Sequence, residues 1–478
     1  MNLNFLPRLA PLAERCLPAD LARRAMPLLA RVDRMLSGTG DSAVSGRIAL
    51  FAFAIRIFSA IIAYASQVLL ARWMGQFEYG IFVTVWVAAL ILGGIACFGF
   101  PTSILRFISE HRERGEADYL RGAIFGSLSW AVLAATLMAA IGSAGIYFLD
   151  GMFENYFVIP VYLAAIVLPM MALQEVQDGI ARAHNWAGIA LAPTFILRPL
   201  LILAVMAGAI LLGFPANAVT AMISAIVAVY AASILQFILL VYNLRKAVPT
   251  GPRKFMPAKW LAVTMPIFLI DGFSNLLTNV DILFVSHYMQ PEKVAVYFAA
   301  AKTLALVHFV YFAVTAAAAH RFSAYHIAGD RRRYKQFVQE TVHWTFWPSL
   351  ALALLMLVIG EYFLMLFGPA FVEEGVPIIW ILALGIVARS SVGAAESVLT
   401  MSGEQKTCAF IYAATLMFNL ALNWQLIPAF GLNGAAMATT GTLFFEAFAL
   451  YAMARRRLAL HIFILPTRGD GPRIRLVE

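Results

Sequence analysis

Long apolar stretches separated by short polar ones run along this chain from about residue 47 to 455. The stretches reach about 20 residues or more, the length a helix needs to cross roughly 30 Å of hydrocarbon. Period-two alternation is missing, which argues against a transmembrane barrel. Helices are the other way to satisfy the backbone in lipid. Reading apolar runs against turns and charges predicts twelve spans: 47–71, 78–101, 121–149, 156–181, 187–213, 217–244, 258–288, 294–320, 341–367, 375–399, 407–428 and 433–454. The seventh is interrupted by Asp271 and Asp281, and the eighth runs into His320 and Arg321. The expected fold class is an all-α membrane protein.

Composition agrees with the pattern. Of 478 residues, 62% are hydrophobic and 13% charged, too little charge to clothe a soluble core of this size. The net charge of +9 does not point to nucleic acid, because the basic residues lie in short segments between apolar runs and no solvated basic domain carries them. Cys16, Cys97 and Cys408 are scattered and match no metal or redox spacing, so they read as packing residues.

Charge sets the expected orientation. One set of connections holds Arg106, Arg112, Arg114, Arg121, Arg182, Arg245, Lys246, Arg253, Lys254, Arg321, Arg331, Arg332, Arg333, Lys335, Lys406 and Arg455 to Arg457. The other set holds only Arg72 and Lys293, beside acids such as Glu78, Asp150, Glu154, Glu373 and Glu374. The positive-inside rule makes the first set cytoplasmic and puts both termini inside. The outer connections are too short to fold as domains. Residues 1–46 carry six arginines broken by four prolines, with no apolar core of a cleavable signal before Ile48. Asp20 to Leu36 is amphipathic and either lies on the membrane face or forms a mobile basic tail.

The second half echoes the first. GQFEYGIFVTVWVAALI (75–91) aligns with QPEKVAVYFAAAKTLAL (290–306), and the same register sets Arg106-Phe107 on Arg321-Phe322 and Tyr119 on Tyr334. GFPANAVTAM (213–222) echoes GLNGAAMATT (431–440), and Asp178 falls near Glu396. Shared order and spacing imply a six-helix duplication. An even number of helices gives both copies the same orientation, so the halves are expected to be related by a pseudo-two-fold along the membrane normal, around a central cavity. The expected organisation is an arm (1–46), an N-lobe (47–244), a linker (245–257), a C-lobe (258–455) and a basic tail (456–478).

The stretch 69–116, LLARWMGQFEYGIFVTVWVAALILGGIACFGFPTSILRFISEHRERGE, resembles the first helix pair of polysaccharide exporters in the multidrug/oligosaccharidyl-lipid/polysaccharide superfamily. It has an acid and Tyr-Gly at the outer loop, a Gly-rich second helix, and Arg-Phe before a charged segment. NVDILFVSHYMQPEKVAVYFAAAKTLA (279–305) and LIPAFGLNGAAMATT (426–440) are similar to the family's seventh and eighth helices and its entry to the twelfth. The chain departs from the pattern at Ala295, where a Gly is usual, at Ala316 and Ala317, where a Pro often occurs, and in its longer basic arm. The resemblance implies a flippase of the bacterial inner membrane that moves polyprenyl-diphosphate-linked oligosaccharide outward by alternating access through a cationic cavity. Membrane lipids would be partners, with a glycan polymerase and glycosyltransferases beside them.

Ionisable residues inside spans are costly, so each marks a candidate site. The cations Arg56, Arg198, Lys302 and Arg389 are expected to line the cavity, the arginines presenting paired donors to a diphosphate. The alternative is that each pairs with an acid such as Asp271 or Glu396 to hold helices together. Asp281 and Lys302 fall at similar depth in adjacent helices and are expected to form an ion pair, either structural or gating. Asp271, Asp281, Glu361 and Glu446 are the coupling or gating candidates, with Na⁺ or H⁺ as the coupling ion and no cofactor expected. The chain has no P-loop, no zinc-protease helix motif and no nucleophile elbow, so no enzyme activity is expected. A cation-coupled exporter of small molecules is the alternative function. A membrane glycan polymerase or ligase fits less well, for want of a large outer loop.

Overall fold

The computed structural model describes residues 41–148, 154–327 and 331–465. Most of the expected arm (1–46), most of the tail (456–478) and Asp150 lie outside them, as do the side chains of Arg56, Ala316 and Ala317. The chain divides into two compact units, Met1–Ile61 and Ile62–Glu478. In the first, the described residues 41–61 are helical. The second holds the features described below.

Every regular element among the described residues is helical. Asp41–Ala96 breaks at Gly75 (φ 76°, ψ 171°) into α1 (41–74) and α2 (76–96). Then follow α3 (Phe100–Glu113), α4 (Ala117–Phe148), α5 (Asn155–Ala183), α6 (Ala187–Leu211) and α7 (Ala218–Ala247). The linker leads to α8 (Pro257–Tyr288), α9 (Pro291–Leu304), α10 (His308–Ile327), α11 (Arg331–Phe367), α12 (Val372–Ser390) and α13 (Ala395–Met401). Gln405–Leu458 breaks at Gly431 (φ 59°, ψ −134°) into α14 (405–430) and α15 (432–458).

Ten of the continuous helical stretches are long and apolar enough to span a membrane. The two longest, of 56 and 54 residues, would each measure about 80 Å as one rod, far beyond a bilayer's roughly 30 Å. Each is long enough for two spans, which brings the described residues to about twelve. Gly75 and Gly431 make those reversals because both occupy the positive-φ region that side chains avoid.

Helix pairing builds two bundles. In the first, α5 packs on α3, α4 and α7, and α6 packs on α7; in the second, α12 packs on α9, α11 and the α14–α15 pair, and α10 packs on α11. Helix α8 serves both. Much of it packs along the α14–α15 pair, while its first half leans on the first bundle. There Thr264 Oγ1 donates to Ser103 Oγ at 3.2 Å, Phe268 stacks on Phe98 at 4.6 Å, and Lys259 Nζ reaches Glu110 Oε1 at 3.0 Å.

Phe107 and Phe322, set on one another by the sequence register, are both buried, at 1% and 0% exposed. On the flank of the second bundle lies an open apolar hollow of about 750 Å³ lined by Leu354, Trp380, Leu384, Phe444, Phe448 and Phe463. The segment 463–464 along its edge is tied down by Ile464 N donating to Ser391 O at 3.1 Å and Gln339 Nε2 to Phe463 O at 2.9 Å.

Candidate functional site

The two bundles meet tightly at the end opposite the basic segments. One hydrophobic cluster there crosses from bundle to bundle and includes Tyr79, Phe82, Tyr297 and Phe367, all under 2% exposed. Polar ties cross the same seam. Tyr64 Oη lies 2.9 Å from Thr303 Oγ1, and Arg72 donates to Leu366 O and Met365 O, each at 2.6 Å. Gln76 Nε2 donates to Ala370 O at 3.0 Å. Backbones also approach closely: a Cβ on Gly80 would stand 1.8 Å from the carbonyl oxygen of Pro291.

The basic end is different. Apart from α8, the elements α3 and α5 of the first bundle share no substantial packing with α10 and α13 of the second, among the described residues. Asp271 stands in this region on α8. It is exposed, and within electrostatic range of Arg182 on one side and Glu396 on the other. Among the described residues, packing between the bundles is dense at one end and, apart from α8, sparse at the other.

Two of the expected cations flank the seam. Arg198 on α6 is half-buried, lies 5.7 Å over the ring of Trp86 on α2, and donates to Gln174 Oε1 at 3.2 Å. Lys302 on α9 is half-buried, with its ammonium 5.0 Å over the ring of Phe298, which in turn packs edge-on against Tyr79 of α2. Neither cation has a carboxylate at ion-pair distance among the described residues.

The expected Asp281–Lys302 ion pair is not formed. Asp281 instead accepts from Tyr297 Oη at 2.6 Å, from Thr439 Oγ1 at 3.3 Å and from the Ile282 amide at 2.9 Å. The reason is register. Helix α9 begins at Pro291, three residues before the predicted start, so Lys302 lies about one turn deeper than Asp281 and Tyr297 takes the matching depth. Replacing Tyr297 with Phe should remove the strongest donor to a carboxylate only 7% exposed. A stability loss of about 1–3 kcal/mol is expected, read as a lower unfolding temperature in micelles.

Arg389 also departs from its expected place as a cavity cation. Its Nε donates to Glu446 Oε1 at 2.7 Å, its Nη2 lies 4.0 Å from Glu396 Oε2, and Tyr311 donates to the same Glu396 oxygen at 3.1 Å. Arg389 and Glu446 are each 9% exposed, so both are committed to a tie between α12 and α15, and Glu446 is not an open coupling carboxylate. Glu361 is exposed near the end of α11 opposite the basic segments. The residues that sequence reading passed over are neutral: Gln174, Gln177 and Gln236, all buried in the first bundle, escape a scan for charge.

Comparison with known proteins sets this geometry in a family. The model of the family described as Polysaccharide biosynthesis protein matches residues 46–326, and that described as MatE matches 266–425. A Shigella flexneri protein provisionally named an O-antigen transporter is 24% identical over 431 residues, covering 86% of this chain and 97% of the relative. Among solved structures, the lipid II flippase MurJ in an inward closed conformation superposes with a TM-score of 0.68 at 16% identity, covering 85% of this chain and 87% of that one. A multidrug resistance MATE family transporter in an inward-facing conformation gives 0.66 at 14% identity, covering 86% and 98%. A superfamily transporter from Pyrococcus furiosus gives 0.64 at 14%, covering 89% and 97%. With a family match over more than half its length, the chain belongs to the polysaccharide biosynthesis protein family, and it shares the fold of these solved transporters and flippases.

Proposed function

We propose that this protein flips polyprenyl-diphosphate-linked oligosaccharide from the cytoplasmic to the outer leaflet of a bacterial inner membrane. The basic end faces the cytoplasm, with both termini there, and the segments 47–244 and 258–455 act as lobes that rock about the seam. The observation that carries the reading is the pair of cations Arg198 over Trp86 and Lys302 over Phe298, one from each bundle and neither with a carboxylate at ion-pair distance among the described residues. A diphosphate leaving the headgroup layer needs its charge matched, and a guanidinium offers paired donors to do so. Dense packing between the bundles at one end and sparse packing at the other, among the described residues, support alternating access.

Transfer of a fluorescent lipid-linked oligosaccharide across reconstituted vesicles tests this. Arg198→Ala is expected to slow transfer about tenfold or more, the loss of roughly one charge-assisted contact, and Arg198→Lys to recover part of it. Full activity in the Arg198→Ala, Lys302→Ala double variant would rule out the cation pair. A second reading, ion-coupled export of a small organic molecule, is favoured by the MatE match over residues 266–425. It predicts efflux of cationic dyes and no transfer of the lipid-linked saccharide. Under either reading Na⁺ or H⁺ drives the cycle. Neighbouring glycosyltransferases and a polymerase would supply and consume the cargo of the flippase.

A further inference from the structure

The open hollow on the flank of the second bundle has a definite depth. Its lining runs along α11 from Phe346 to Leu357 and along α15 from Phe444 to Tyr451. At 1.5 Å per residue the α11 stretch covers about 16 Å, roughly half of the 30 Å or so of hydrocarbon in a bilayer. It lies in the half nearer the basic end, because α15 runs from Tyr451 directly into Arg455, Arg456 and Arg457.

One helix face joins the hollow to those cations. Phe444, Phe448, Tyr451 and Arg455 follow at helical spacing, so three aromatic rings lead to a guanidinium at the mouth. Arg455 Nη1 donates to Tyr451 Oη at 3.1 Å, and His461 Nδ1 lies 3.3 Å from the same hydroxyl. The chain turns at Ala459 (φ 52°) and brings His461 and Phe463 back against the Tyr451 ring.

Charge and depth together select an occupant. Arg455, Arg456 and Arg457 are exposed, and none has a carboxylate at ion-pair distance among the described residues. Basic clusters where a helix leaves the bilayer attract anionic headgroups. An apolar groove of one leaflet's depth that ends at such a cluster matches a molecule with a hydrocarbon chain and an anionic head. The chain's own last residues do not suit it. PTRGDGPRIRLVE (466–478) carries Arg468, Asp470, Arg473, Arg475 and Glu478, charges that are costly at hydrocarbon depth. Neither Arg198 nor Lys302 lines the hollow, so it stands apart from the cations assigned to the cargo.

We propose that this hollow holds an acyl chain of one anionic phospholipid, with its phosphate at the mouth beside Arg455, Arg456 and Arg457. The aromatic lining holds the chain, and the arginines choose the headgroup. Tyr451 positions Arg455 over the mouth. The lipid would fill the face between α11, α12 and α15 as a bound component of the second bundle.

The test uses the purified full chain, freed of lipid in micelles, and does not depend on what the protein transports. Dimyristoyl phosphatidylglycerol and dimyristoyl phosphatidylcholine, alike in their chains and different in charge, are titrated separately. Native mass spectrometry counts the lipids retained, and the unfolding temperature reports their effect. One phosphatidylglycerol is expected to be held about tenfold or more tighter than phosphatidylcholine and to raise the midpoint by about 2 °C or more. Arg455→Gln should cut that preference about fivefold and leave phosphatidylcholine binding unchanged, whereas Arg455→Lys should keep it. Leu384→Trp, at a position 64% exposed in the hollow, should weaken both lipids. Equal retention of the two lipids overturns the site, as does a preference that survives Arg455→Gln in full or binding that Leu384→Trp leaves unchanged. A polyprenyl monophosphate that displaces phosphatidylglycerol at equal concentration, or a dimer that lipid dissociates, gives the hollow to another occupant and also overturns the proposal. Should Leu384→Trp fail to fold, the contrast between the two Arg455 variants decides.

Discussion

Arg389→Ala is expected to destabilise the protein by roughly 3–5 kcal/mol, because it strands Glu446 as an unpaired charge in a site that is only 9% exposed. The same logic applies from the other side. Glu446→Ala leaves Arg389 with only Glu396, at 4.0 Å, and a long contact to the Gly393 carbonyl at 3.3 Å. Replacing both members together with Met and Leu should recover much of the loss, since a buried ion pair is often no more stable than well-packed apolar side chains of similar volume. Thermal unfolding in micelles of the wild type, Arg389→Met, Glu446→Leu and the double variant provides the double-mutant cycle. The cycle also separates a tie from a substrate ligand. If Arg389 serves only to hold α12 to α15, the Met–Leu double variant should transport normally once it is folded. If it also binds diphosphate, transport stays lost in a stable protein.

The second large effect concerns the closed end. Any side chain on residue 80 must displace the Pro291 carbonyl, which stands 1.8 Å from where its Cβ would be. Gly80→Leu is therefore expected to disfavour the state seen here and to populate one in which α2 and α9 part. An overpacking penalty of about 1–3 kcal/mol shifts a two-state equilibrium by about 5–150-fold. The readout is a cysteine at Val294, 0% exposed beside this seam, probed with a membrane-impermeant maleimide after Cys16, Cys97 and Cys408 are replaced. Faster labelling with Gly80→Leu and slower transport are the expected results. Unchanged labelling in a folded, active variant would mean that this contact does not govern closure.

Much of the architecture could be read before any coordinates. Span ends agree within a few residues at most boundaries, because hydropathy and turn chemistry are local properties summed over about 20 residues. The main exceptions sit where helices outlast the membrane. Helix α11 starts at Arg331 and not at 341, and α3 continues to Glu113, since polar residues extend a helix into water without changing its hydropathy signal. The register of the expected duplication pairs Phe107 with Phe322, and both are buried.

The chemistry was legible only in part. The amino-acid sequence by itself determined the all-helical class, about twelve apolar spans and the list of charges within them, for each of these depends on residue type and order along one helix. Tertiary structure alone decided partners: Tyr297 and not Lys302 for Asp281, Glu446 for Arg389, Gln174 for Arg198, and Thr194 with Gln236 for Asp178. A partner depends on helix rotation, on a register that one extra turn can spoil, and on which faces pack together. Those quantities are set by close packing between segments far apart in the chain, which no local pattern encodes.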